Sequence, residues 1–167
     1  PGGFNKREGK ASENAILTDR VIDRPMRPLF PKDYRNDVTL ENLVMSVEQD
    51  CSPELTAMLG ASIAASISDI PFDGPISTTQ VGLVDGEFVF NPTAAQREVS
   101  DLALTVASTK EKVIMIEAGA NEVPEDKMIE AIFAAHELNQ KVIAFFDTIV
   151  AECGKTKHSY ESCAVPQ

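Results

Sequence analysis

The sequence has no tryptophan, and only 6% of its 167 residues are aromatic. Its core must therefore be built mainly from aliphatic side chains, which suits layered packing of helices on a sheet. A hydrophobic content of 43% is enough to bury such a core. The length lies in the usual range for a single domain, so one domain is expected.

Long apolar runs and a targeting segment are also missing. The longest apolar stretches, such as Leu59 to Ile67, are interrupted by glycine and serine, whereas a helix needs about 20 apolar residues to span a bilayer. The start, Pro1-Gly2-Gly3, is neither the basic nor the apolar part of a signal peptide. The sequence thus predicts a soluble protein cut from a longer chain.

Cysteine and histidine are scarce and show no pattern of a metal or catalytic centre. Cys51, Cys153 and Cys163 are widely spaced and include no Cys-x-x-Cys pair. A reducing, cytoplasmic compartment is expected, with each thiol a small buried hydrophobe or a tail residue. His136 falls on the apolar stripe of a predicted helix and is expected in the core, whereas His158 lies in the tail. Neither has a recognisable catalytic neighbour.

Motifs for nucleotide or metal chemistry are absent as well. The sequence has no Walker-type loop and no Gly-x-Gly-x-x-Gly. The acidic group of Glu122, Glu125 and Asp126 could bind a cation, but acids also stabilise the start of a helix, and we favour that interpretation. We therefore predict no catalytic residue and no metal ligand in this chain.

The charge is distributed unevenly. A formal net charge of −11 would by itself disfavour nucleic acid as a partner. However, residues 1–35 contain eight basic and five acidic side chains, and the excess of acid lies in the remainder. A basic edge on an acidic body indicates a local anion site.

Apolar periodicity and chain breakers in the first half predict two helices and a strand. The first helix is expected over Ser12–Arg24, with Ser12 as its N-cap and Pro25 and Pro28 as its stop. A bulged strand is expected over Asp37–Val47. A second helix is expected from Ser52 to about Ser68, with proline in its first turn.

The second half is expected to contain two hairpins and a long helix. Asp85-Gly86 is a strong signal for a tight turn between two strands, because both central residues of a type I′ turn need positive φ. A polar segment around Ala94–Glu98 separates this hairpin from a second one. The long helix is expected to open at Pro124 and to end at Gly154. The expected strands are Val81–Val84, Glu87–Phe90, Leu102–Val106 and Val113–Ile116, and the polar tail Lys155–Gln167 is predicted to be a linker.

Two groups of residues could contact RNA or another anion. In the glycine-flanked segment Gly3–Gly9, Phe4 could stack on a base while Lys6 and Arg7 meet phosphates. The alternative is a solvated loop with Phe4 in the core.

Three arginines form the second group. Arg20, Arg24 and Arg27 are four and three residues apart, so a continuing helix would stack them on one face, where a bound phosphate or carboxylate would neutralise their repulsion. Alternatively, Asp23 pairs with Arg20 and Arg27 and leaves an ordinary salt-bridged surface.

Several longer strings carry a resemblance to a known family. Residues 2–9 (GGFNKREG) and 17–31 (LTDRVIDRPMRPLFP) closely resemble the first RNase PH-type domain of the bacterial polynucleotide phosphorylase family. So do residues 60–62 (GAS), 70–76 (IPFDGPI), 91–93 (NPT) and 113–122 (VIMIEAGANE). The resemblance runs nearly unbroken from Pro1 to about Gly154.

The resemblance implies an α+β fold that is RNase PH-like (ribosomal protein S5 domain 2-like), a mixed sheet with packed helices whose N-terminal strands are missing. It also implies that residues 1–123 are a partial first RNase PH-type domain. Residues 124–154 would be the long helix that closes this domain, and residues 155–167 a linker toward an all-helical domain.

The activity implied for the parent is that of a 3′-to-5′ exoribonuclease that degrades RNA with inorganic phosphate and Mg²⁺ and releases nucleoside diphosphates. Its catalytic acids and metal belong to a second RNase PH-type domain, so this chain alone would be inactive. Phe4, Lys6 and Arg7 match an RNA pore loop, although Asn5 and Lys6 stand where the family often has a second aromatic residue and an arginine. Arg20 and Arg24 match the remnant of an active site, beside Arg27.

The partners implied are RNA, two further copies in a homotrimer, and components of a degradosome, all in the cytoplasm. Two alternatives stay open. One is RNase PH or a subunit of an exosome ring, which share the fold. The other is a purely non-catalytic module for RNA binding or assembly.

Overall fold

The computed structural model describes residues 11–163. Over these residues the chain forms helices and a sheet in the order helix, helix, hairpin, short helix, hairpin, long helix. The elements are α1 (Glu13–Met26), α2 (Pro53–Ile67), β1 (Ser77–Val84), β2 (Glu87–Phe90), α3 (Ala94–Val99), β3 (Leu102–Ser108), β4 (Val113–Ala120) and α4 (Glu125–Cys153).

The strands form one sheet in the order β2-β1-β3-β4, and every pairing in it is antiparallel. Asp85 and Gly86 join β1 to β2 with φ of 51° and 83°, which confirms the expected tight turn. Successive side chains of a strand point to opposite faces of a sheet. Val81, Leu104 and Val106 accordingly pack against α4, whereas the other face packs against α2 and α1. The α+β architecture is confirmed.

Asn139 of α4 is fully buried against the sheet. Its Oδ1 accepts a hydrogen bond from Thr79 Oγ1 at 2.8 Å, and its Nδ2 donates to Val106 O at 3.0 Å and to Ser108 Oγ at 2.9 Å. Burying an amide is favourable only when its hydrogen bonds are made. This network therefore ties α4 to β1 and β3 at one position along the helix.

The first helix begins as expected but ends later. Ser12 Oγ accepts from Ala15 N at 3.2 Å, so Ser12 is the N-cap. The expected stop at Pro25 is wrong, because Pro25 is buried inside the last turn of α1. Proline there removes a single intrahelical hydrogen bond, which the packing of α1 tolerates. A short 3₁₀ helix, Arg27–Leu29, follows and holds Pro28 in its first turn.

The strand expected over Asp37–Val47 does not form. Leu43 is 81% exposed and Met45 is 89% exposed. Alternating apolar residues form a stable strand only against a partner. The described strands pair only with one another, so residues 37–47 have none among residues 11–163.

A short helix, α3, occupies the segment expected to be irregular. Thr93 Oγ1 accepts from Gln96 N at 3.4 Å, and Gln96 Oε1 accepts from Thr93 N at 2.9 Å, which together form a capping box. The pattern Thr-x-x-Gln is the sequence signal for this helix start. The strand expected to end at Ile116 also continues, as β4, to Ala120.

The ends of α2 and α4 agree with the sequence. Ser52 caps α2, Pro124 precedes α4, and the backbone N–H of Gly154 closes α4 by donating to Val150 O. Glu125 and Asp126 lie in the first turn of α4, where the helix dipole favours acids. Within the described chain, no helix is both long enough and apolar enough to cross a membrane.

Neither the cysteines nor His136 lies in the hydrophobic core. All three cysteines are exposed, so the expectation of burial is wrong for Cys51 and Cys153. Cys51 lies in the turn before α2, and Cys153 is the last residue of α4, where neither is covered by the sheet. His136 is half-buried, and its Nε2 lies 3.3 Å from the side-chain amide nitrogen of Gln140. It borders the core rather than entering it.

The tail is attached to the end of α2. The N–H groups of Lys155 and His158 donate to Ile67 O and Asp69 O, at 2.9 and 2.8 Å. Lys157 Nζ donates to the carbonyl oxygens of residues 65, 66 and 68 at 3.1, 2.9 and 2.7 Å. Carbonyls at a helix C-terminus lack intrahelical partners, and this amine satisfies them from outside. Partial burial lowers the pKa of Lys157 from its ordinary value.

Further along, the tail contacts the segment after α1. Ser162 Oγ and Tyr160 OH both donate to the carboxylate of Asp33, and these two bonds lower its pKa, Ser162 more strongly. The bond to Asp33 in turn raises the pKa of Tyr160. The Tyr34 ring packs edge-on against Tyr160 at 5.0 Å. Residues 155–163 thus have no helix or strand and yet are docked, and their role as a linker stays a prediction.

Candidate anion site

The three arginines project from one side of α1 and the turn that follows it. Residues three and four apart are neighbours on a helix surface, and Arg20, Arg24 and Arg27 are all exposed. The opposite side of α1 is buried, with Ile22 and Met26 in the core. Burial of that apolar side sets the rotation of the helix and directs the arginines outward.

Arg27 is already paired. Its Nε and Nη2 donate to the Asp23 carboxylate, the Nε–Oδ2 distance being 3.0 Å and the Nη2–Oδ1 distance 2.9 Å. The alternative of a salt-bridged surface therefore holds for Arg27. The pair is solvent-exposed, and such pairs contribute only about 0–1 kcal/mol to stability. A competing anion could therefore displace Asp23 at little cost.

Among residues 11–163, Arg24 has a more distant ion-pair partner than Arg27 has, and Arg20 has none. Arg24 Nη1 lies 3.6 Å from Glu117 Oε2 on β4, and both side chains are about half exposed. Arg20 has no ion pair with any residue between 11 and 163, Asp23 included. Arg20 is thus the arginine of this group with the least compensated charge.

A cavity flanks each side of α1. The first has a volume of about 370 Å³, and the second, between α1, α2 and the sheet, about 400 Å³. Arg27 lines the first, whereas Arg20 and Arg24 line neither. Around the first cavity stand Asp19, Ile22, Asp23, Met26 and Phe30, and around the second Asn14, Thr18, Glu54, Gln80, Thr105 and Glu117.

The second cavity contains polar residues that the sequence did not single out. Gln80, Thr105 and Glu117 stand side by side on three adjacent strands, because Gln80 pairs with Thr105 and Thr105 with Glu117. The signal was present only as strand alternation, which says that residues share a face but not which strands are neighbours. Because Glu117 lines this cavity and lies 3.6 Å from Arg24 Nη1, Arg24 stands at the edge of the cavity.

Two further results concern the predicted sites. In the described part of the chain, no three His, Cys, Asp or Glu side chains come together as a group that could hold a metal ion. Phe4, Lys6 and Arg7 lie outside the described residues. The predicted RNA contact of this loop therefore stays a prediction.

Two domain models of one known protein family match the chain. Residues 2–71 match the family described as "3′ exoribonuclease family, domain 1", and residues 74–137 match "3′ exoribonuclease family, domain 2". Only residues 72 and 73 separate the two matches, which together cover most of the chain.

Curated relatives match the chain along its length. The polyribonucleotide nucleotidyltransferase of Lachnoclostridium phytofermentans is 83% identical over 167 residues, all of this chain and 24% of the relative. Those of Clostridioides difficile and Caldicellulosiruptor saccharolyticus are 59% and 58% identical, over 96% and 100% of this chain. The chain thus spans about a quarter of the length of the relatives it matches.

A solved structure has the same fold. Rice (Oryza sativa) Rrp46 superposes with a TM-score of 0.67 over 86% of this chain and 69% of its own, at 12% identity. The similarity shows the RNase PH-like fold. With both family profiles matched in sequence order and relatives up to 83% identical, this chain belongs to the 3′ exoribonuclease (RNase PH) family.

Proposed function

We propose that the parent of this chain is a polyribonucleotide nucleotidyltransferase, a 3′-to-5′ exoribonuclease that degrades RNA by phosphorolysis. A phosphate oxygen attacks the phosphorus of the 3′-terminal phosphodiester, the 3′ oxygen of the preceding nucleotide leaves and takes a proton, and a nucleoside diphosphate is released. The observation that carries this proposal is the 83% identity to a relative of that name over the whole chain.

The chain itself contributes structure and RNA contact rather than chemistry. Phosphorolysis needs inorganic phosphate and a divalent cation, here Mg²⁺, which we assign to the parent and not to this segment. We assign residues 1–123 to a partial RNase PH-type domain, 124–154 to its closing helix and 155–167 to a linker.

The assembly and location follow from the same proposal. The parent forms a homotrimeric ring in the cytoplasm, binds RNA and joins a degradosome. Phe4, Lys6 and Arg7 contribute the loop that RNA passes, and the arginines of α1 form an anion site left from an active centre. Support comes from the exposure of Arg20, which has no ion pair within residues 11–163, and from the long 3.6 Å contact between Arg24 and Glu117.

The proposed phosphorolysis is tested by comparing the full-length parent with residues 1–167 alone. The full-length parent should release nucleoside diphosphates from RNA, dependent on phosphate and Mg²⁺, whereas residues 1–167 alone should release none because we assign the catalytic carboxylates to a second RNase PH-type domain. Products are separated by thin-layer chromatography. Metal-dependent release by residues 1–167 would refute the division of roles. An inactive parent that still binds RNA would instead favour a non-catalytic binding module.

The anion site has its own test. Crystals of the parent soaked in tungstate, which mimics phosphate, should show anomalous density beside Arg20 and Arg24. The Arg20→Ala, Arg24→Ala double variant should lose it, because charged hydrogen bonds from arginine hold the anion. The matched control is Lys32→Ala, Arg35→Ala, which removes the same charge from two exposed residues after α1. Density that persists in the first variant, or disappears in both, would contradict the assignment.

A further inference from the structure

A third cavity, of about 220 Å³, lies apart from the arginines of α1. It opens between the start of α2, strand β1 and the loop after β2. Its walls are apolar where Leu55, Leu59 and Pro92 line it. Its polar lining includes Ser52, Thr56, Thr78, Gln80, Asn91 and the exposed residues Asp50, Cys51 and Arg97.

Thr78 lines the cavity and carries a buried hydroxyl. The residue is only 4% exposed, and its Oγ1 has no hydrogen-bond partner in residues 11–163. The next residue, Thr79, points to the other face of the sheet and donates to Asn139. A buried hydroxyl without a partner costs free energy. A ligand in the cavity that bonds to Thr78 would remove this cost.

Two amides beside Thr78 add donors and acceptors. Asn91 Oδ1 accepts from Gln80 N at 3.1 Å, and Asn91 N donates to Gln80 O at 2.8 Å, which holds Asn91 at a φ of 50°. Asparagine tolerates this left-handed backbone better than most residues. Within the described chain, Asn91 Nδ2 and the side-chain amide of Gln80 have no partner. The wall thus presents neutral hydrogen-bonding groups of both kinds.

The exposed part of this lining does not favour a strongly charged ligand. Arg97 is engaged by backbone carbonyls, with Nη1 donating to Pro92 O at 2.7 Å and Nη2 to Gln49 O at 3.1 Å. Asp50 adds a carboxylate of opposite charge to the same lining and accepts a hydrogen bond from Ala94 N. Apolar walls beside neutral donors and acceptors fit an uncharged ligand with an apolar face and a polar edge, and a nucleobase is a group of this kind.

We propose that this cavity binds one unpaired base of an RNA strand, with adenine preferred. The base lies against Leu55 and Pro92, and its edge bonds to Thr78, Gln80 and Asn91. Unpaired bases are recognised in this way in single-stranded RNA, and asparagine and glutamine amides complement the edge of adenine. The proposal rests on RNA being the substrate of the parent, and it adds a base contact distinct from the loop of residues 3–9.

Cys51 provides a direct readout, because it is exposed and lines the cavity. In the full-length parent, oligoadenylate should slow alkylation of Cys51, measured by mass spectrometry of the peptide that contains it. An abasic oligonucleotide of equal length keeps the phosphates and should not protect. Cys153, exposed at the end of α4, is the internal reference for general loss of reactivity.

Thr78→Val distinguishes binding from a structural role. It removes a hydroxyl that no described residue bonds, so stability should be unchanged or higher. The oligoadenylate concentration for half-protection should nevertheless rise about three- to tenfold, as expected for one lost hydrogen bond. Ser77→Ala is the matched control, since Ser77 Oγ also has no partner but faces the other side of the sheet. Gln80→Leu is a second variant, at a half-buried position, and should act like Thr78→Val.

The possible results distinguish failure of the base site from failure of the proposed phosphorolysis. Equal protection by the abasic strand, or an unchanged half-protection concentration in both cavity variants, would overturn the base site even if the parent phosphorolyses RNA. Protection that depends on bases and on Thr78 in a parent without phosphorolytic activity would support the site and overturn only the reaction.

Discussion

Replacing Asn139 by leucine is expected to lower the free energy of opening of strand β3 by roughly 3–5 kcal/mol. Leucine branches at Cγ as asparagine does but cannot hydrogen-bond, so it leaves Thr79 Oγ1, Val106 O and Ser108 Oγ without the hydrogen bonds that they now make. Each buried group loses its partner with no access to water. The measurement is native-state hydrogen exchange of the β3 amides in the full-length parent.

A neighbouring residue on the same helix supplies the control. Gln140 is half-buried and donates to Thr109 O at 3.0 Å, just beyond the end of β3. Because water can replace that bond, Gln140→Leu should cost only about 1 kcal/mol. If the two variants destabilised β3 equally, the buried network would contribute nothing specific to the docking of α4.

Replacing Lys6 and Arg7 by alanine in the full-length parent is expected to weaken binding of long RNA by roughly tenfold at moderate salt. Two fewer phosphate contacts release fewer counterions, so the slope of log K against log salt should also fall by about 1.4. Phe4→Ala should cost a further 1–3 kcal/mol or so if one base stacks on the ring. Fluorescence anisotropy at several salt concentrations measures both quantities.

The control must remove the same charge elsewhere. Lys32→Ala combined with Arg35→Ala does so at two exposed positions beyond α1. It should change the affinity and the salt slope less than the loop variant. The loop effect should also be smaller for short oligomers, because only a long strand reaches both the loop and a distant catalytic site. Equal effects of the two double variants would indicate general electrostatic attraction rather than a pore loop.

The elements that could be predicted from the sequence are those with local causes. The turn at Asp85-Gly86 follows from the φ that these residues tolerate, and the start of α2 follows from a serine cap before proline. The pair of Arg27 with Asp23 is of the same kind, since four residues on a helix bring the two side chains together. Recognition of the family also needed only the order of residues along the chain.

Elements that depend on distant partners could not be derived in this way. Residues 37–47 alternate like a strand, yet without a neighbouring strand the pattern leaves Leu43 and Met45 exposed. Arg24 meets Glu117 only because α1 crosses the sheet beside β4. The hydrogen bonds of the tail to α2 and to Asp33 depend equally on the path of the folded chain.

By itself, the sequence determined the family, the α+β class, the caps, the hairpins and the side of α1 that carries the arginines, because spacing along one element places its residues on a face. The tertiary structure decided which of those arginines are compensated, where Asn139 is buried and how Thr78, Gln80 and Asn91 meet in one cavity. Those arrangements depend on strand order and helix packing. Residues far apart in the chain become neighbours only when the sheet is assembled, and no local pattern records which ones will do so.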